Sequence, residues 1–122
     1  MSARQALVLG ATGQLGRACL SGAPDTVSVQ GLSRVQCDVT DDAALARAIK
    51  EADPHMVINA AAYTAVDAAE DEPQQAEATN AEAPALLSAL CAQRGARLVH
   101  VSTDFVFGGQ AHAPYVPDAN PE

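Results

Sequence analysis

The stretch QALVLGATGQLG, residues 5–16, constrains the fold of this chain more than any other. Gln5–Leu9 is a short apolar run that ends in glycine and reads as a buried strand. A helical stretch follows from about Gln14 to Ser21. Gly10, Gly13 and Gly16 therefore lie between a strand and a helix, a context that gives weight to an otherwise weak pattern. Their spacing is G-x-x-G-x-x-G rather than G-x-G-x-x-G. Gly10 would allow the sharp exit from the strand. Gly13 would let the backbone approach a pyrophosphate, and Gly16 would let the helix pack closely on the sheet. The helix N-terminus then offers free N–H groups and a partial positive charge to phosphates. The alternative is a tight turn with no ligand.

The rest of the chain repeats the alternation. Thr26–Gln30 is a second strand candidate and Val35–Asp38 a shorter third. Thr40 or Asp41 can cap a helix running through Glu51, with Leu45 and Ile49 one turn apart on its inner face. Pro54 closes that segment, and Met56–Asn59 is the next strand. A helix-rich region spans about Pro73 to Arg94. In it Leu86 with Leu90, and Leu87 with Cys91, repeat at four-residue spacing. Pro84 kinks this region or starts its second half, and Gly95 fits the position after the helix end. Arg97–Val101 is the last strand. Strands alternating with helices imply parallel βαβ units: a Rossmann-like, doubly wound α/β sheet of about five strands, helices on both faces. Residues 1–107 would form this portion, and the proline- and glycine-bearing residues 108–122 a loop.

Charge and cysteine content exclude several classes. With 122 residues, 15 acidic against 7 basic, the chain has a formal charge of −8, which argues against nucleic acid as a partner. No apolar run approaches the roughly 18 residues of a membrane span, and no signal peptide is visible, so the cytoplasm is the expected location. Cys19, Cys37 and Cys91 are too far apart for a disulfide framework or a zinc site and read as reduced, packed thiols. The acidic run Asp67–Glu77 reads as a solvated face rather than a metal cradle. His55, His100 and His112 have no partners at catalytic or metal spacing, and no metal ligand is assigned. His100, within a strand, reads as a hydrogen-bonded core residue.

The end of the second strand bears on cofactor choice. A carboxylate there would hold a ribose 2′-hydroxyl and exclude a 2′-phosphate. This chain has Gln30, Gly31, Leu32, Ser33 and Arg34 instead, and Ser33 with Arg34 could bind a phosphate. NADP(H) is thus favoured over NAD(H), with a solvated loop arginine as the plain alternative. Asp38 comes too late for the ribose role and, with Val39, fits beside an adenine. Asn59 reads first as a side chain tying strand-end loops together and second as a cofactor contact.

Three blocks in this order, GATGQLG, VINAAAYTAVDAAE (57–70) and VSTDFVFGG (101–109), resemble the dTDP-4-dehydrorhamnose reductase family of extended short-chain dehydrogenases/reductases. The resemblance covers this whole chain but only the N-terminal two-fifths or so of such an enzyme. It implies reduction of a 4-keto nucleotide sugar to dTDP-L-rhamnose by hydride from NAD(P)H. By position it places Gly13, Gln14 and Leu15 along the pyrophosphate and Asp38 with Val39 beside the adenine. Ala61, Ala62, Tyr63 and Thr64 fall along the ribose and nicotinamide. Thr103 would hydrogen-bond the substrate's C4 oxygen, and Phe105 would border the sugar. Polar residues suit that place, because parallel strands deliver their C-terminal ends to the ligand crevice. The plainer reading is that Ser102 and Thr103 satisfy backbone groups at the strand end. Magnesium is associated with the family, and nothing in this chain identifies ligands for it.

The superfamily's proton donor, a tyrosine followed four residues later by lysine, has no counterpart. Tyr63 and Tyr115 are followed at that spacing by Asp67 and Ala119, and the sole lysine is Lys50. HAPYVPDANPE, residues 112–122, resembles the family's loop before that tyrosine, with Pro117 where an acidic residue is usual. The expectation is an inactive N-terminal fragment of the reductase. It would expose an apolar strand edge that favours self-association, and a homodimer is left open. The competing expectations are a non-catalytic NADP-binding regulatory subunit, as in the methionine adenosyltransferase β subunit, and a nucleotide-sugar epimerase or dehydratase. Gln14–Leu15 and STDFVF disfavour the last.

Overall fold

The computed structural model of the chain describes residues 3–122, so the first two residues of the expected 1–107 portion lie outside it. Strand β1 (Arg4–Leu9) leads through the glycine turn to α1 (Gln14–Ser21), then β2 (Val27–Leu32), α2 (Asp42–Ala52) and β3 (Met56–Asn59). Helices α3 (Val66–Asp71) and α4 (Pro73–Glu77), a π-helical turn (Ala78–Glu82) and α5 (Ala83–Arg94) follow. Strand β4 (Arg97–His100) and a 3₁₀ turn (Asp104–Val106) complete the elements. The strands form one parallel sheet in the order β2-β1-β3-β4. Among the described residues no helix is long and apolar enough to cross a membrane.

Both faces of the sheet carry helices, and strand alternation decides which residues meet them. Leu7, Leu9 and Val57 point to one face and form the core with Leu45 and Ile49 of α2 and Ala83, Leu87 and Cys91 of α5. On the opposite face Val8 lies in register with Gly31 and Ile58. There α1 packs so closely that a Cβ on Gly31 would stand 2.8 Å from Leu20 Cδ1. Helix α2 begins where the Asp41 carboxylate accepts the Ala44 N–H at 3.1 Å. It ends at Asp53 in the left-handed region, φ 42°, whose carboxylate pairs with Arg94 at 3.1 Å. Gly95 ends α5 with φ 67°, as its position predicts.

Two expectations need correction. Val35–Asp38 is not a strand: the Ser33 carbonyl accepts the N–H groups of Gln36 and Cys37, and Gln36 Oε1 accepts the Ser33 N–H at 2.8 Å. Local side-chain bonds of this kind satisfy the backbone without a neighbouring strand. Val35 is left 97% exposed while Cys37 turns inward. The described sheet therefore has four strands. His100 is hydrogen-bonded as expected but exposed, because β4 is an edge strand. His55 has a structural use: its Nδ1 accepts the Gln5 N–H at 3.0 Å, extending the β1–β3 ladder.

A Cβ on Gly16 would collide with the Gly10 carbonyl and lie 2.8 Å from Ala11 Cα, all backbone atoms that cannot yield cheaply. Gly16→Ala is expected to destabilise the chain by about 1–3 kcal/mol, the usual cost of overpacking, read as a lower urea midpoint at unchanged m-value.

Candidate functional site

A groove of about 200 Å³ opens at the C-terminal ends of β1, β2 and β3. That is smaller than the roughly 300–1,000 Å³ usual for a complete ligand pocket, so the described residues form one side of a site rather than a closed chamber. Its floor is the β1–α1 turn. Gly10 adopts φ 71°, and a Cβ there would come within 2.8 Å of Ala60 C and Ala61 Cα. The position thus requires glycine twice over, for its backbone angle and for the closeness of the loop after β3. Gly13 differs: a Cβ on it would meet only the Gly10 carbonyl, at 3.5 Å. The space beside Gly13 is open. The first intrahelical bond of α1 is Arg17 N–H to the Gly13 carbonyl, so the amides of Gln14, Leu15 and Gly16 have no intrahelical acceptor. No side chain caps them and no carboxylate lies in the first turn.

The second wall runs from Arg34 to Val39. The turn that replaced the expected strand brings Arg34, Cys37, Asp38 and Val39 to the groove together. Asp38 Oδ1 accepts from Thr40 Oγ1 at 2.7 Å and from the Thr40 N–H at 3.0 Å. These two bonds, with the Arg34 charge as a smaller influence, hold its carboxyl below the ordinary value of 3.8. Burial, followed by the charges of Asp38 and Asp41, pushes the Cys37 thiol up and keeps it an inert packed group. Ser33 sits at the turn but outside the groove lining, its hydroxyl accepting the Gln36 N–H.

The third wall is the irregular segment Ala60–Tyr63. Asn59, 2% exposed, anchors its start: its Oδ1 accepts the Ala61 N–H, and its Nδ2 donates to His100 Nδ1, both at 3.2 Å. Asn59 thus ties two strand ends and a loop together, the first of its two expected roles. Farther along, Asn80 bonds the Tyr63 backbone, and the Tyr63 phenol donates to Glu72 Oε2 at 2.7 Å. That bond raises the phenol's pKa above its ordinary value and keeps it protonated. Gln75 and Thr79 complete the lining.

Of the residues expected at the site, Gly10, Gly13, Arg34, Asp38 and Val39 line the groove, as do Ala61, Ala62 and Tyr63. Gln14 and Thr64 adjoin lining residues in the chain, whereas Leu15 and Gly16, in the first turn of α1, do not line the groove. Thr103 and Phe105 lie apart from it, just beyond β4, where Thr103 Oγ1 accepts the Phe105 N–H at 3.1 Å and the Phe105 ring is 85% exposed. Sequence reasoning missed Thr12, Cys37, Ala60, Gln75 and Thr79 as lining residues. A signal existed for Thr79: it stands four residues before Ala83 and eight before Leu87, on the spacing that marks the inner face of α5. For Gln75, inside an acidic run, there was none.

Residues 4–122 match the family described as RmlD substrate binding domain. The chain belongs to that family. It is 43% identical over 118 residues to a dTDP-4-dehydrorhamnose reductase of Mycolicibacterium smegmatis, covering 95% of this chain and 36% of the relative. A reductase of the same name from Streptomyces griseus is 46% identical over 114 residues, covering 92% and 37%. Among solved structures, the dTDP-4-dehydrorhamnose reductase of Bacillus anthracis in complex with NADP superposes with a TM-score of 0.93 at 31% identity. The match covers 99% of this chain and 44% of that one. The chain therefore spans little more than a third of the length of the curated RmlD-family relatives it matches.

The lowered Asp38 carboxyl has a pH signature. A carboxyl depressed in the folded state adds stability above its unfolded value, near 3.8, and that contribution disappears as the pH falls through the folded value. Asp38→Asn keeps an acceptor for Thr40 and removes only the charge. Its urea midpoint is expected to lie below that of the parent at pH 7 and to converge with it in acid; parallel curves at all pH values would refute the assignment.

Proposed function

We propose that the chain forms the cofactor-binding part of a reductase that transfers hydride from NADPH to the 4-keto group of dTDP-4-dehydrorhamnose, giving dTDP-L-rhamnose in the cytoplasm. The observation that carries this reading is the groove, which unites open backbone at Gly13, free amides at the α1 N-terminus and the Arg34 guanidinium. These are the donors a dinucleotide needs, and the Bacillus anthracis relative was solved with NADP. NADP(H) is favoured over NAD(H) because no carboxylate ends β2 and Arg34 reaches the groove.

In this reading Gly13, Gln14 and Leu15 hold the pyrophosphate, and Ser33 with Arg34 takes the 2′-phosphate. Asp38 and Val39 border the adenine, while Ala61, Ala62, Tyr63 and Thr64 follow the ribose and nicotinamide. When bound, NADPH supplies the hydride. Negative charge then develops on the substrate's C4 oxygen, and in this reading Thr103 stabilises it. Its oxygen already accepts the Phe105 N–H, which leaves its one O–H free to donate. Phe105, exposed beside it, offers an apolar border for the sugar ring. The proton comes from outside these 122 residues: neither tyrosine has its lysine, and Tyr63 donates to a carboxylate. By itself the chain is accordingly a binding and orienting unit, with residues 108–122 leading towards the catalytic pair and the substrate domain.

The missing Tyr-x-x-x-Lys also favours a second reading, a regulatory NADP-binding subunit without turnover. Incubating the complete gene product with NADPH and the 4-keto nucleotide sugar separates the two. Substrate-dependent NADPH oxidation with rhamnose formed supports the reductase, and NADPH binding without oxidation supports the subunit.

Two substitutions probe the roles. Gly13→Val fits the folded backbone but fills the space a pyrophosphate needs, so NADPH affinity should fall at least about ten-fold with little loss of stability. Thr103→Val should lower kcat of the complete gene product about 10²-fold, the usual worth of one oxyanion donor, with unchanged NADPH affinity and recovery in Thr103→Ser.

A further inference from the structure

The segment 60–65 has no regular secondary structure, yet Ala60–Tyr63 forms a wall of the groove. Its near end follows the sheet, with the Ala60 N–H on the Leu9 carbonyl and the Ala61 N–H on Asn59. Its far end has no such support from the sheet. There the Tyr63 N–H donates to Asn80 Oδ1 at 2.9 Å, and Asn80 Nδ2 donates back to the Tyr63 carbonyl at 3.1 Å. One carboxamide thus pairs with both backbone groups of one residue, as a neighbouring strand would.

Asn80 lies in the π turn, Ala78–Glu82. The helical region carries an inward row at four-residue spacing: half-buried Gln75, then buried Thr79, Ala83, Leu87 and Cys91. In an α-helix of 3.6 residues per turn, residues four apart step about 40° around the axis, so such a row leaves one face within a few turns. A turn closed i to i+5 absorbs an additional residue and offsets that drift. The π turn therefore keeps Thr79 inward, in the groove, and sets Asn80 beside it within reach of Tyr63. π turns of a single turn's length occur frequently at functional sites.

We infer that Asn80 is a positioning residue for the dinucleotide: held by the π turn, its carboxamide fixes the Ala60–Tyr63 wall in the form that receives the cofactor. The inference rests on the groove being the NADPH site. Asn80 does not line the groove; it acts through the Tyr63 backbone. The Tyr63 phenol, tied to Glu72 at the start of α4, restrains the same residue from its other end. An unsupported wall would have to be ordered when the ligand arrives, and affinity would bear that cost.

The test compares the complete gene product with Asn80→Ala, Asn80→Asp and the exposed control Glu82→Ala. NADPH titration calorimetry is run alongside thermal unfolding and amide exchange at Tyr63. Asn80→Ala is expected to weaken NADPH about ten-fold and to speed exchange at Tyr63, with Glu82→Ala unchanged. Asn80→Asp keeps the acceptor for the Tyr63 N–H and sets a carboxylate against its carbonyl. It should weaken NADPH at least about three-fold, and this arm carries the test if Asn80→Ala does not fold. A parent protein that binds no NADPH would overturn the groove assignment and this inference with it. A parent that binds, beside Asn80 variants of equal affinity, would overturn the role of Asn80 alone, and a fall in Tm without a change in affinity would do the same.

Discussion

Three pieces of backbone meet at the end of β1, and no side chain fits between them. Gly10 lies against the Ala60–Ala61 peptide, and Gly16 lies against Gly10 and Ala11. This contact sets the distance between the strand, the first turn of α1 and the loop after β3. All three border the groove, so the groove's shape follows from how closely main chains can approach. That is why its floor is built from glycine and alanine, and why a chain with few aromatics can still hold a defined site. Large side chains supply the core beneath, where Leu7, Leu9, Leu45, Ile49 and Leu87 are fully enclosed. They do not shape the opening.

The electrostatics of the groove run against those of the molecule. The chain carries a formal charge of −8, yet the groove joins an uncapped helix N-terminus to an arginine. Anion binding of this kind is local: backbone amides and one guanidinium act within a few ångströms, and salt screens more distant carboxylates. Asp38 is the exception, a carboxylate in the groove wall. Its two bonds from Thr40 keep it ionised and turned to a fixed partner.

The parts of the fold that were legible in the sequence were those tied to residue identity. Glycine at positions 10 and 16, aspartate at the head of α2 and glycine behind α5 each have a backbone reason to be where they are, and the structure places each accordingly. Val35–Asp38 misled because alternation of apolar and polar residues suits a strand and a turn with one inward side chain equally well. Hydrogen bonds between Ser33 and Gln36 decided it, and such local pairing leaves no periodic trace. The π turn was invisible for a related reason: Pro84 marked a change of register, but the extra residue lies ahead of it, at 78–82. His100 was misjudged because strand position, centre or edge, depends on sheet order rather than on local pattern. At the site, motif residues such as Gly10, Gly13 and Tyr63 line the groove as expected, Thr12 and Ala60 of the same motifs went unassigned, and Gln75 lies in the acidic run that read as a solvated face.

The uncovered flank of the sheet has its own implication. Ile58 and Val99 stand in one row, Val99 is 43% exposed, and among the described residues β4 has no partner on its outer edge. A bare strand edge beside apolar side chains is the surface that chaperones hold and that seeds coaggregation. During synthesis it emerges after every element that could cover it from the N-terminal side. An edge of this kind promotes association between partly folded chains, a loss that the stability of the groove does not prevent.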